Sequence, residues 1–100
     1  MTVSFENELG ETLLRVGDRN AAYDHLLPSI YDDAFWYINR IDQYGDTIFN
    51  QLQAPRLLLE WDQFSKVATT PRMVQTMAEI RGLIVRLSNE QHHYVRFRGE

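Results

Sequence analysis

The side chains most able to bind a metal or move a proton are three histidines, His25, His92 and His93, and fourteen acids. A transition metal needs several such groups at one point. His92 and His93 are neighbours, and adjacent side chains point to opposite faces of a strand or diverge by about 100° on a helix. They do not readily share an ion. Glu90 and His92 would meet His25 only through the tertiary fold, so structural roles are expected for all of them, with no metal and no cofactor. Asp42-Gln43-Tyr44-Gly45-Asp46 lacks the alternating oxygen ligands and closing glutamate of a calcium loop. Asp32-Asp33 suit the start of a helix, where the dipole stabilises them, and Glu60 and Asp62 lie two apart on a helix and do not face each other. Neither pair reads as the acid and base of a hydrolase. The chain has no cysteine, hence no thiol nucleophile, disulfide or iron–sulfur ligand, and it has no Gly-rich phosphate loop, Gly-x-Ser-x-Gly elbow or His-Glu-x-x-His helix. A protein that is not an enzyme is expected.

Charge is the next signal. Residues 1–62 hold eleven acids against four arginines, a balance of −7, and residues 63–100 hold six bases against three acids, a balance of +3; together they give the net −4. An acidic two-thirds repels phosphates and attracts a basic protein surface. The alternative is that the two parts neutralise each other within the fold. Tyr94, Arg96 and Arg98 would form a basic, aromatic strand face of the kind that binds nucleic acid, but the net acidity and the single lysine weigh against a phosphate-driven mode.

These residues need a scaffold. The 100 residues, 44% hydrophobic and 24% charged, fit one domain spanning 1–100. Apolar runs such as Leu57-Leu58-Leu59 are too short for a membrane span. The N-terminus shows no basic region followed by an apolar one, so a cytoplasmic protein is expected. Val3 and Phe5 alternate with polar neighbours, Asn7-Glu8-Leu9-Gly10 supplies a turn, and Thr12–Val16 reads as a second strand, which predicts a hairpin over 2–16. A short helix at Glu11–Val16 is the alternative. A helix is expected at Ala21–Leu27, before Pro28, and a longer one from Ser29 to Tyr44-Gly45, with Ser29-x-x-Asp32 spaced as a capping box. Ile30, Ala34, Ile38 and Ile41 would form its stripe. Asp46–Gln53, rich in side chains that bond to backbone, reads as a structured loop or one helical turn. Pro55 starts a helix that buries Leu57, Trp61, Phe64 and Ala68; Thr69-Thr70-Pro71 ends it and caps the next, whose stripe is Met73, Met77, Ile80, Ile84 and Leu87, with Ser88-Asn89 at its end. His93–Gly99 alternates as a strand, with continuation of the helix as the alternative. The predicted fold is α+β: a small antiparallel sheet made from the N-terminal hairpin plus a C-terminal strand, packed with three to four helices. An all-α bundle is the alternative.

Ile41-Asp42-Gln43-Tyr44-Gly45-Asp46-Thr47-Ile48-Phe49-Asn50-Gln51-Leu52-Gln53, the pair Glu60-Trp61 and the closing His93–Glu100 together resemble the layout of a group of small bacterial proteins. In size, acidity and lack of cysteine the chain is also similar to immunity-type inhibitors encoded beside secreted toxins. The first resemblance implies a layout and carries over no residue role; the second, one of general character, is to proteins that neutralise a toxin by binding it.

From the residues themselves, the functional expectation is a non-catalytic module that masks a basic protein surface. Acids would steer the encounter and aromatics would anchor it. The expected contact surface is Asp32, Asp33, Tyr37, Asp42, Tyr44, Asp46 and Glu60. Self-association into a homodimer or scaffold, through the face Met73–Leu87 or a sheet edge, is the alternative. Trp61 is expected in the core against Met73–Ile84, whereas Trp36 suits either the core or an exposed anchor.

Overall fold

Val3 and Phe5 alternate with Thr2, Ser4 and Glu6 and form the inward face of β1 (Thr2–Glu6) in the computed structural model, which describes residues 1–17, 34–42 and 44–99. Asn7 makes the reversal that follows. Its side-chain oxygen accepts the N–H groups of Leu9 and Glu11, each at 3.0 Å, and Gly10 takes a φ of 80° that a side chain would resist. β2 (Thr12–Gly17) returns antiparallel to β1, as the hairpin reading requires. Near the chain's end, β4 (Tyr94–Arg98) pairs with the other side of β1, and β3 (Asp46–Asn50) pairs with β4. The sheet order is β2-β1-β4-β3, antiparallel throughout. The fold is α+β, not an all-α bundle.

Two α-helices cover one face of this sheet. In α1 (Ala54–Phe64), Pro55 sits in the first turn, where its missing N–H costs nothing, and Leu57, Trp61 and Phe64 are buried. In α2 (Pro71–Asn89), the Thr70 hydroxyl accepts the N–H of Met73 at 3.1 Å, and Met73, Met77, Ile80, Ile84 and Leu87 are buried. These side chains meet Val3, Phe5, Phe49, Val95 and Phe97 from the strands in one core. Trp61 lies at its centre. The Trp61 ring is 5.8 Å from that of Phe97, and its Nε1–H donates to the Met77 carbonyl at 2.9 Å, so the indole is both packed and satisfied. Because the α2 stripe is spent on this core, it is not a surface for self-association.

Three local expectations need correction. Among the described residues there are two α-helices, not three or four; the helix expected at Ala21–Leu27 and the start of the one from Ser29 lie outside them. Where that second helix should continue, residues 34–42 form turns around one 3₁₀ turn at Ile38–Arg40. A competing acceptor is at hand: the N–H groups of Tyr37 and Ile38 donate to the Glu60 carboxylate, and although Asn39 bonds the Phe35 carbonyl four residues back, Arg40 and Ile41 reach back only three residues, to Tyr37 and Ile38. Finally, Asp46–Asn50 is a strand, not a loop or a helical turn. The backbone-seeking amides act just after it: Asn50 and Gln53 exchange side-chain bonds to each other's N–H, at 3.1 and 2.9 Å, and start the 3₁₀ turn Gln51–Gln53.

Candidate functional site

Among the described residues, Glu6 and Glu60 are the buried carboxylates. Glu6 projects from β1 onto the sheet face away from the helices. It accepts from Ser4 Oγ at 2.7 Å, from Arg96 Nε at 3.1 Å and from Arg98 Nη2 at 3.2 Å. Burial pushes its pKa up, but the hydrogen bonds from Ser4, Arg98 and Arg96 outweigh that and hold it below the usual glutamate value. Arg96 reaches on to Asp46 at 3.0 Å, and this bond is the main cause of its raised pKa. The face formed by Tyr94, Arg96 and Arg98 is therefore already supplied with anions by the chain itself, which removes the feature that suggested nucleic-acid binding. Arg81 pairs with Asp62 in the same way. Much of the charge asymmetry between the two parts of the chain is thus neutralised inside the fold.

Glu60 does a different job. Its side chain is 3% exposed, Oε1 accepts the N–H groups of Tyr37 at 2.8 Å and Ile38 at 3.1 Å, and Oε2 accepts from Arg56 Nε at 3.0 Å. One carboxylate on α1 thereby fixes a segment more than twenty residues away in sequence. Glu60 is accordingly withdrawn from the expected contact surface, since it is buried, with one oxygen on the chain's own backbone and the other on Arg56.

What Glu60 holds in place is the exposed part. Trp36 is 54% exposed, with the Arg40 guanidinium 5.0 Å from its ring centroid. Beyond the 3₁₀ turn, the Asp42 N–H donates to Thr47 Oγ1 at 3.0 Å, and that hydroxyl donates to the Arg40 carbonyl at 3.2 Å. Asp42 Oδ1 accepts the Tyr44 N–H at 2.8 Å, an Asx turn. Gly45 follows because a Cβ there would lie 2.8 Å from Asp42 Oδ2, and its carbonyl accepts the Gly99 N–H at 2.7 Å. The turn is fixed at both ends, and it presents Tyr44 83% exposed.

Of the seven expected contact residues, the fold brings Asp42 and Tyr44 together at the surface. Asp46 lies beside them, with its charge engaged by Arg96. Tyr37 is half-buried, its ring edge-on to Phe49 at 5.9 Å, so it supports the segment more than it faces outward. Asp32 and Asp33 lie outside the described residues. Trp36 lies at the surface and not in the core. Arg40, which stacks on it, was legible only as a base on the expected helix.

No group of three or more His, Asp or Glu side chains among the described residues could hold a metal ion. His93 stacks on Phe5 with ring centroids 5.1 Å apart, and its Nδ1 lies 2.6 Å from the Gln91 carbonyl, while His92 takes a φ of 59° in the turn before β4. Among the described residues no helix is long and apolar enough to cross a membrane. Set against protein-family models, curated proteins and solved structures, the chain matches none of them.

Proposed function

We propose that the chain is a non-catalytic protein-binding module that masks a basic surface of a protein partner, acting in the cytoplasm as an inhibitor of the immunity type. The observation that carries this reading is the pair of exposed aromatics, Trp36 and Tyr44, on either side of the exposed Asp42 in a segment fixed by hydrogen bonds to the buried Glu60 carboxylate and to the Thr47 hydroxyl. Rigid aromatic anchors beside a steering charge are what such an interface needs, because little conformational entropy is lost on docking. The buried carboxylates that might otherwise act as acid or base are engaged by backbone N–H groups and arginines.

The test is a pull-down with the product of the neighbouring gene, followed by Asp42→Lys and Tyr44→Ala variants. Capture that falls at least tenfold in either variant supports the reading. Failure to capture that product or any basic protein, or capture indifferent to both substitutions, refutes it.

A further inference from the structure

The strand order leaves β2 and β3 as the edges of the sheet, and an edge is a ready template for another strand unless something blunts it. β2 is blunted. Its register with β1 slips so that Leu13 has no partner between Thr12 and Leu14, Arg15 stands in the strand, and Gly17 ends it. β3 has none of these devices. Its register with β4 runs unbroken from Asp46↔Arg98 to Asn50↔Tyr94, and its one charged side chain, Asp46, is already neutralised by Arg96.

The backbone groups of β3 can be assigned to sides. The Gly99 N–H donates to the Gly45 carbonyl, in register with the β3–β4 ladder, while the Asn50 N–H turns the other way and donates to Gln53 Oε1. In an antiparallel ladder the groups alternate, so residues 45, 47 and 49 face β4 and residues 46, 48 and 50 face the free edge. Among the described residues no backbone hydrogen bond satisfies the outward N–H and C=O of Ile48. The Ile48 side chain is 48% exposed, and the apolar side chains at equal spacing on either side, Tyr44 and Leu52, are 83% and 88% exposed.

We infer that this edge pairs with the same edge of a second copy of the chain, antiparallel and centred on Ile48, to give one continuous eight-stranded sheet across a two-fold axis. Within β3 the pattern Asp46-x-Ile48-x-Asn50 is complementary to its own reverse. Ile48 of each copy faces Ile48 of the other, and their outward N–H and C=O groups exchange two bonds. Asp46 of one copy faces Asn50 of the other, donating its N–H to a carbonyl and meeting an amide, not a like charge. Alternative registers oppose Asp46 to Asp46 or leave part of the strand unpaired. Such an isologous contact closes at two copies and does not propagate into a fibre. The inference does not rest on the partner-binding reading, since Trp36, Asp42 and Tyr44 all lie outside β3.

Light scattering and sedimentation equilibrium across a concentration series test it. The expected mass rises from the 11.8 kDa of one chain to twice that value. Ile48→Glu, which faces Arg96 within its own chain but opposes two carboxylates across the axis, is expected to be monomeric throughout, with an unchanged circular dichroism spectrum. Asn50→Asp keeps the turn cap but opposes Asp46 of the second copy, and is expected to weaken the dimer about tenfold. Adding Asp46→Asn to it restores the pairing. A wild type that stays monomeric overturns the inference. So does a dimer that survives Ile48→Glu, or one that Leu13→Glu on β2 dissociates instead.

Discussion

Removing the Glu60 carboxylate should release residues 34–42 while leaving the sheet and helices standing. Both backbone N–H groups from this segment go to the same oxygen, Oε1, and Arg56 takes the other. Glu60→Ala therefore strands the N–H of Tyr37 and that of Ile38, the latter in a fully buried residue. An unsatisfied buried donor costs about 1–3 kcal/mol; with water reaching the half-buried Tyr37 more readily, the sum is about 3 kcal/mol. Arg56 is more than half exposed, so its lost pair adds only ~0.3–0.5 kcal/mol. For a domain of this size that predicts a fall in melting temperature of roughly 12–24 °C. Glu60→Gln is the discriminating control. Its oxygen can still accept both N–H groups, now as neutral bonds about half as strong, so the cost should be about 1–2 kcal/mol. Urea unfolding gives both free energies, and hydrogen exchange should show the Tyr37 and Ile38 amides losing protection in Glu60→Ala far more than in Glu60→Gln. If the two variants cost the same, or if Glu60→Ala costs less than ~0.5 kcal/mol, Glu60 does not hold this segment.

Trp61→Ala removes the most central aromatic and its bond to Met77, and should cost about 3–5 kcal/mol by denaturant titration, enough to leave the chain at the margin of folding. Trp36→Ala, at an exposed ring, should shift stability by less than ~0.5 kcal/mol while weakening capture of the basic partner; a destabilised variant would place the ring in the core. Because the Glu6 pKa is lowered in the fold, its contribution to stability is fully present above the unfolded glutamate pKa of about 4.3 and is lost as pH falls through the lower, folded value. The stability gap between wild type and Glu6→Gln should accordingly shrink as pH falls below about 4.3, and a gap that stays constant into strong acid would refute the assignment.

The parts of the fold that were legible in the sequence are those where one periodicity had no rival. The stripes Leu57–Phe64 and Met73–Leu87, the Thr70 cap and the alternation at Val95 and Phe97 all read directly, because each buries its own apolar face against the core. β3 was hidden for a physical reason. Only Phe49 of its five residues is buried, the strand is an edge, and its flanking amides advertise a turn that in fact begins one residue later. Residues 34–42 misled in the opposite direction. Ile38 and Ile41 are buried as the helical stripe required, whereas Ala34 is exposed, and the N–H groups of Tyr37 and Ile38 are diverted to Glu60. That acceptor lies on another element, and no local propensity registers it.

The same diversion explains why the acidic excess overstated the contact surface. Acids were expected outside because a lone buried carboxylate is costly, and Glu6 and Glu60 avoid that cost only because three donors converge on each. Glu6 ties β1 to β4 through arginines that lie ninety residues downstream, and Glu60 ties α1 to the 3₁₀ turn. The two carboxylates thus join segments far apart in sequence, 90 residues for Glu6 and Arg96 and 23 for Glu60 and Tyr37, and such buried bonds are costly to leave unmade. With Asp46 and Asp62 also matched to Arg96 and Arg81, Asp42 lies at the surface, as do Glu8, Glu11 and Glu79 among the described residues; of these, Asp42 is the one whose carboxylate accepts a backbone N–H beside an exposed aromatic, Tyr44. An acid whose geometry is set by the turn, and not by a cation of the same chain, is free to meet the cation of another. That is why the partner reading narrows from a broad acidic half to Trp36, Asp42 and Tyr44.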